Sequence, residues 1–465
     1  MTLEHLVFTG CSNGPAVAVK GTSKAPAARV AASDFMNFQK HEDVDHQWTG
    51  TVTKKDDLGV RGGCVPAVVI TDCMFHENSA KNGAAVSIVD SDAVKIEGSR
   101  FGSNTARDKG GSVFASGTSS LIIENSFFGN CSSTQGSGVC IRDGTLNCIN
   151  CTFAQNTAKF YGGAFHSFRG NVHCIECLFV ENVVKRKGGG VNNDHGTLSF
   201  TNCSFVKNMA PQEAGAVNLF GGSMRCNNCS FVENKTGEGG GAIINMYGSV
   251  DCRNCAFVNN TAESSGGAVQ IFLGSLDCTD CLFVKSTAGG QGGAISVYLG
   301  QLNFTNCSFV KNRAREEGGA IYNYDGSLDC IECSFVENKV GSNGGAVAMY
   351  NVDGCAHVCL RIKEAVLSSN SAKNGGGLWI YTTLSEVENC MFEHNNATDS
   401  GGAIAIRVAS SSTLVKNTSF TNNSARIGGA CSLSTGVLAT FDSDDGRVEF
   451  TQNTAHFGGG IYCFG

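Results

Sequence analysis

A phenylalanine returns every 26 residues: Phe75, Phe101, Phe127, Phe153, Phe179 and onward without a slip to Phe335. Three residues after each stands an asparagine (Asn78, Asn104, Asn130, Asn156 and their successors to Asn338), and Ser286 is the one departure. Glycines follow nine and ten residues after the ring, as in Gly266-Gly267-Ala268, and another comes seven residues later, as in Gly274 and Gly300. Looser copies continue as 389-NCMFEHNNATDSGGAI-404, 417-NTSFTNNSARIGGA-430 and 450-FTQNTAHFGGGIY-462. Eleven strict units and about four looser ones fill most of the chain. A fixed period of this length means a one-dimensional stack of like units.

The structure of one unit follows from its apolar spacing. Leu276 and Cys278 are two apart, Cys281 and Phe283 are two apart, and 294-AISVY-298 is a third short β-branched run. No spacing of three and four runs through the unit, so helices are excluded. Three short strands separated by Gly and Asn turns describe one rung of a parallel β-helix. Rungs stack about 4.8 Å apart, so about 15 of them make a rod of roughly 70 Å. Left-handed β-helices use shorter, hexapeptide-based rungs, and leucine-rich repeats require an L-x-x-L-x-L frame that is absent. The expected fold is an all-β, right-handed parallel β-helix solenoid. Residues 1–63 form N-terminal coils with a polar insertion at 34–63. Regular repeats occupy 64–350, and irregular coils with insertions occupy 351–465.

In such a stack each column lies above itself. The phenylalanines fill the core ring on ring. Val191, Val217, Ile243, Val269, Ile295, Ile321 and Val347 form a β-branched wall. The asparagines sit where the chain leaves a strand, in the left-handed conformation they tolerate, with their amides bonded along the stack. The paired glycines make a sharp corner.

Composition narrows the function classes. Glycine is 60 of 465 residues and proline only 4, which argues against a disordered linker protein. A net charge of −7 leaves no basic footprint for nucleic acid. No apolar run is long enough for a transmembrane helix. The start, MTLEHLVFTGCSNG, shows no signal peptide. Both ends read as cut from something longer, and uncapped strand edges predict further chain or end-to-end self-association.

Six C-x-x-C pairs, from Cys148/Cys151 to Cys330/Cys333, raise the question of metal or redox chemistry. Elsewhere in its column the first cysteine is replaced by Ile70, Ile96, Ile122, Phe200 and Phe304, which bind no metal. The column asks for an apolar side chain, and cysteine serves as a small hydrophobe. In-register neighbours stand near 4.8 Å, wider than the roughly 3.8 Å between Cβ atoms that a disulfide prefers. Buried free thiols are expected first, occasional disulfides second and metal last. No cofactor is called for.

The motifs 292-GGAI-295, 318-GGAI-321, 401-GGAI-404 and 344-GGAV-347, alternating with 309-FVKN-312, 335-FVEN-338 and 392-FEHN-395, resemble the repeats of the chlamydial polymorphic outer-membrane proteins (Pmp) and of related Pmp-like proteins of eukaryotic microbes. The resemblance covers roughly residues 64 to 465. It implies a pectin-lyase-like right-handed β-helix, displayed at a cell surface or outside the cell, with adhesion as its usual role. No autotransporter barrel follows the repeats, a departure from the bacterial family that leaves the route of export open. The regular period with paired cysteines leans towards the eukaryotic branch.

Four places could carry function. The first is an aromatic column, Phe168, Phe220, Phe272, Tyr298, Tyr324 and Tyr350, interrupted by Asp194 and Met246. With Ile295 inward, alternation turns Ala294, Ser296 and Tyr298 outward. Such a face suits sugar rings or a partner protein; the plainer reading is a second core layer folded over the corner. Phe220, Phe272, Tyr298, Tyr324 and Tyr350 are the binding candidates. The second is an acidic column, Asp251, Asp277 and Asp329 with Asp280 and Arg253 nearby. A polysaccharide lyase needs such carboxylates for a cation and an Arg or Lys base. The column drifts through Asn147, His173, Ser199 and Arg225, as an exposed face does. Asp251, Asp277 and Arg253 are weak catalytic candidates. Third, His41, Asp43, Asp45 and His46 offer metal-ligand chemistry within a solvated loop without ligand spacing, and Cys355, His357 and Cys359 suit a local disulfide better than zinc. Fourth, mixed charges two after each Phe (Glu181, Lys207, Glu233, Lys285) carry no function. Sequons occur at Asn202, Asn228, Asn234, Asn259, Asn306, Asn396, Asn417 and Asn422, and several arise from the repeat itself. The leading expectation is a non-catalytic surface protein, adhesin-like or structural, that binds a host or self protein or a glycan. The alternative is a carbohydrate-active enzyme.

Overall fold

The computed structural model describes residues 2–4, 7–9, 17–20 and 68–464, apart from 119, 352–357, 383, 408–410 and 444–446. The insertion with His41, Asp43, Asp45 and His46 lies outside the described residues, as do Cys355 and His357. Two compact units divide the chain, Met1–Met224 and Arg225–Gly465. Each is a parallel β-solenoid, and among the described residues there is no helix. The chain makes about 15 turns in all.

A single coil of the second unit shows the plan. It runs through Ser275–Thr279, Leu282–Val284, Thr287–Ala288 and Ile295–Tyr298. These are faces one to four. The sequence pattern suggests three strands, and the structure has four. The additional one is only two residues long, too short for alternation to reveal, and it buries one small side chain per coil, here Ala288. Each face pairs in register with the same face of the next coil: Leu276 with Leu302, Phe283 with Phe309, Ala288 with Ala314 and Ile295 with Ile321.

Within the second unit the rings stack as expected, at 4.8 Å for Phe231–Phe257 and 4.7 Å for Phe257–Phe283, within 4° of parallel. Phe304 takes a cysteine's place in face one and meets Phe309 edge-on at 5.3 Å. The first unit stacks Phe75, Phe101, Phe128 and Phe153 at 4.5–4.8 Å. Here the count of 26 misleads. Phe128, not Phe127, fills the core slot, while Phe127 pairs with Arg100 and Thr152 on the outer side. The strand Thr105–Lys109 holds one residue more than Ser79–Asn82, with a register shift between Ala106 and Lys109. That pushes every later slot of the coil on by one. Ile123 accordingly replaces Ile122 in the inward column, and Cys131 replaces Asn130 in the asparagine column. The pair 127-FF-128 offers a ring in either register, and the register of the strands chooses between them.

The asparagine ladder is present, but its backbone differs from expectation. Asn312 donates from Nδ2 to the Phe283 carbonyl (2.9 Å) and to Asn338 Oδ1 (3.1 Å), and its backbone N–H meets the same Oδ1 at 3.0 Å. The left-handed residue is the one before it: Glu181, Lys207, Glu233, Lys285, Lys311 and Glu337 all have φ of 52–58°. Charged side chains are tolerated there because the corner N–H is satisfied across coils, as in Lys285 N–H to the Val310 carbonyl at 2.9 Å. The paired glycines divide two tasks. Gly266 takes φ of 66°, and a Cβ on Gly267 would lie 2.1 Å from the Gly293 carbonyl oxygen.

The cysteine columns are buried free thiols. Their partners are backbone carbonyls, as with Cys203 Sγ to Cys174 O (3.4 Å) in the first unit and Cys281 Sγ to Cys252 O (3.4 Å) in the second. Cys359, in the expanded coil before Leu367, is disulfide-bonded.

Candidate functional site

The outer side of face four holds the richest chemistry in both units. In the first unit its strands are Val113–Ser116, Val139–Arg142, Phe165–Phe168, Val191–Asp194 and Val217–Phe220. First and third residues point to the core. The fourth residues form the outward column Arg142, Phe168, Asp194, Phe220. The second residues, Cys140, His166, Asn192 and Asn218, also alternate outward, yet all are buried. They are covered because the strand leading into the glycine corner folds over them, bringing Lys109, Gln135, Tyr161 and Lys187 to the opposite rim. The result is a cleft of about 550 Å³.

Its floor is a hydrogen-bonded ladder. Asn218 Nδ2 donates to Asn192 Oδ1 at 2.8 Å, and Asn192 Nδ2 faces His166 Nδ1 at 3.0 Å. Tyr161 lies nearly parallel to the His166 ring, 5.6 Å between centroids. Burial pushes the His166 pKa down to about 4, against the opposing pull of Asp194. The imidazole is therefore neutral near pH 7. With Nδ1 accepting from Asn192, its proton sits on Nε2. Burial likewise pushes the Cys140 thiol up to about 12, so it is no nucleophile.

The charges of the rim are matched locally. Lys109 meets Asp108 at 3.0 Å, Lys187 meets Glu213 at 2.7 Å and His195 meets Asp194 at 2.5 Å. Arg142 lies over the Phe168 ring at 5.1 Å. Phe220 packs against His195, 5.3 Å between centroids.

In the second unit the fourth residues of the same face are Met246, Phe272, Tyr298, Tyr324, Tyr350 and Tyr381, each register partner to the next. Tyr298 and Tyr324 stack at 5.0 Å within 4° of parallel, and Phe272 reaches Tyr298 at 6.4 Å. Tyr298 is 46% exposed and Tyr381 36%, while Phe272, Tyr324 and Tyr350 are half-buried, so the column is part surface and part cover over the corner. Two of its expected outward companions are covered: Ala294 lies in the corner and Ser296 beneath its neighbours, both buried. Tyr350 is tied down, its hydroxyl donating to Glu317 Oε1 (2.5 Å) and accepting from Asn343 Nδ2 (3.1 Å). Burial and that carboxylate push its phenol above the usual range.

The five binding candidates therefore fall into two places. Phe220 belongs to the cleft of the first unit, and Phe272, Tyr298, Tyr324 and Tyr350 to the tyrosine column of the second. Tyr381 escapes a count of 26 because the insertion after Tyr350 lengthens its interval to 31. His166, Asn192 and Asn218 were legible as a column one residue after the β-branched wall, but alternation alone marks them as solvent-facing. The weak catalytic candidates are engaged on face one. Asp251 meets Arg225 (3.5 Å) and Arg253 (3.4 Å), Asp277 accepts from Asn303 Nδ2 (2.6 Å), and Asp329 meets Arg361 (3.0 Å).

The family model of the Chlamydia polymorphic membrane protein repeat matches residues 306–324 and 447–463. The chain is a β-helix repeat protein whose repeats are similar to those of that family. The first matched segment holds the 309-FVKN-312 and 318-GGAI-321 motifs, that is, a stacked ring, a ladder asparagine and a glycine corner. The Pmp match points to a surface-associated repeat protein. No curated protein matches the chain. Among the described residues no helix is long and apolar enough to cross a membrane.

Proposed function

We propose that this Pmp-like chain is a non-catalytic protein of the cell surface or extracellular space, adhesin-like, which binds a partner protein or a glycan through the outer side of face four. The observation that carries the reading is exposed Tyr298 stacked parallel on half-buried Tyr324 and flanked by Phe272. Stacked rings on a surface offer large, stiff, amphipathic contact area at low entropic cost. Against catalysis stands the engagement of Asp251, Asp277 and Asp329 by cationic or amide neighbours.

The test is binding of the purified chain to intact cells and to a glycan array, beside a Tyr298→Ser/Tyr324→Ser variant. Tyr298 is exposed and Tyr324 half-buried, and neither is a core ring, so the fold should survive. Binding lost in the folded variant supports the reading. Wild-type binding to neither cells nor glycans, or turnover of a polysaccharide that Asp277→Ala abolishes, overturns it.

A further inference from the structure

The cleft of the first unit holds a feature that packing does not explain. Asn218 is 3% exposed, and its Oδ1 has no hydrogen-bond partner. A buried amide oxygen left unpaired costs about 1–3 kcal/mol, and Asn218 is one of the residues that line the open cleft. At the far end of the same ladder, His166 Nδ1 faces Asn192 Nδ2, which puts the ring proton on Nε2. The ladder thus ends in an acceptor on one side and a donor on the other. His166, Asn192 and Asn218 occupy successive coils, so the two ends lie about 10 Å apart at two strand spacings. Half-buried Phe168 and exposed Phe220 stand beside the floor in the outward column, alternating with Asp194.

We propose that this cleft is a binding site for an uncharged, hydroxyl-rich sugar of one or two rings, held between Phe168 and Phe220 and hydrogen-bonded to Asn218 Oδ1 and His166 Nε2. Three observations select that class. The polar groups at the floor are neutral amide and imidazole, which match hydroxyls as both donors and acceptors. Lys109 and Lys187 already face Asp108 and Glu213, and Arg142 stands 3.9 Å from Asp143, so each rim cation has an anion of its own. The aromatic faces complement the C–H faces of a pyranose. The volume falls within the roughly 300–1,000 Å³ typical of small-ligand sites.

The inference rests on the reading of the chain as a binding protein, but its residues are separate from the tyrosine pair, so each can fail alone. The experiment is an array of neutral, N-acetylated and acidic oligosaccharides, followed by calorimetry on the best neutral hit, with wild type, Asn218→Leu and Tyr298→Ser/Tyr324→Ser. The expected result is neutral-sugar binding weakened at least tenfold by N218L and unchanged by the tyrosine changes. Should N218L lower thermal stability, Phe168→Ala removes one wall without touching the ladder and should weaken binding by a similar factor. No neutral-sugar binding, binding of acidic sugars alone, or neutral-sugar binding indifferent to both N218L and F168A overturns the site. Cell binding lost only in the tyrosine variant, without neutral-sugar binding, overturns the cleft and leaves the tyrosine face standing.

Discussion

Ser286 interrupts the asparagine ladder of the second unit, and restoring it should stabilise the protein. Ser286 is fully buried and its Oγ has no partner. Its backbone N–H still donates to Asn312 Oδ1 at 2.9 Å. One coil back, Asn260 Nδ2 reaches the Phe231 carbonyl at 2.8 Å but meets no amide oxygen ahead of it, unlike Asn312. An asparagine at 286 would accept from the Asn260 backbone and side-chain N–H groups. It would also donate to the Phe257 carbonyl and to Asn312 Oδ1. Four bonds at about 0.5–1.5 kcal/mol each set a gross gain of roughly 2–6 kcal/mol. Ordering one more side chain and adjusting the packing leave a net gain of about 2 kcal/mol. For a unit of this size that is a rise in Tm of roughly 4–8 °C. Thermal unfolding of Ser286→Asn beside wild type measures it, with amide hydrogen exchange at residues 283–288 as a local readout, because a repeat array can open one coil at a time. Asn312→Ala is the converse. It strips the acceptor from Ser286 N–H and leaves the Phe283 carbonyl short of a donor, at a cost of about 3–5 kcal/mol. A neutral or destabilising S286N with faster exchange at 283–288 would refute the claim that the ladder itself, and not merely its apolar surroundings, holds the coils together.

The His166 pKa of about 4, below its unfolded value of 6.5, makes stability pH-dependent. Between those values the unfolded chain binds the proton and the folded one does not, so stability is full above pH 6.5 and falls by roughly 3 kcal/mol as pH drops to 4. Lys109, Arg142, Lys187, Asp194 and His195 line the same cleft, so the contribution is read against His166→Gln: relative to that variant, wild type should lose roughly 3 kcal/mol between pH 7 and pH 4. Cys278→Val should change stability by less than about 1 kcal/mol, since Phe304 and Ile362 fill the same column; loss of folding in C278V would mean the thiols do more than pack. In native protein Cys463 should react with a thiol reagent while the cysteines of the two core columns stay silent until denaturation. Expressed through a secretory pathway, the chain should carry glycan at exposed corner asparagines such as Asn228 and Asn306 and never at Asn234, which is fully buried in the ladder; peptide mapping by mass spectrometry decides.

The core of this protein was legible because its contacts are periodic. The wall from Val191 to Val347, the glycine corners and the apolar demand of the cysteine columns all stand where spacing places them. The candidate site was legible only in part. Tyr298 and Tyr324 follow from counting, whereas Tyr381 is hidden by an insertion. The ladder His166–Asn192–Asn218 is hidden by a rule that is true of bare strands: alternate residues face out, but facing out is not exposure when another segment folds across.

The sequence alone determined the solenoid, its period and the identity of its columns. In a parallel in-register stack each residue's neighbour across the strands is its own counterpart one repeat later, so linear spacing is already a contact map. Only the tertiary structure decided that Phe128 and not Phe127 enters the core, that most coils carry a fourth short strand, and that Lys109, Tyr161 and Lys187 rim a polar cleft. Those outcomes depend on a one-residue bulge and on how a short segment packs over its neighbours. They are differences in packing free energy between near-equivalent registers, and residue spacing carries no record of them.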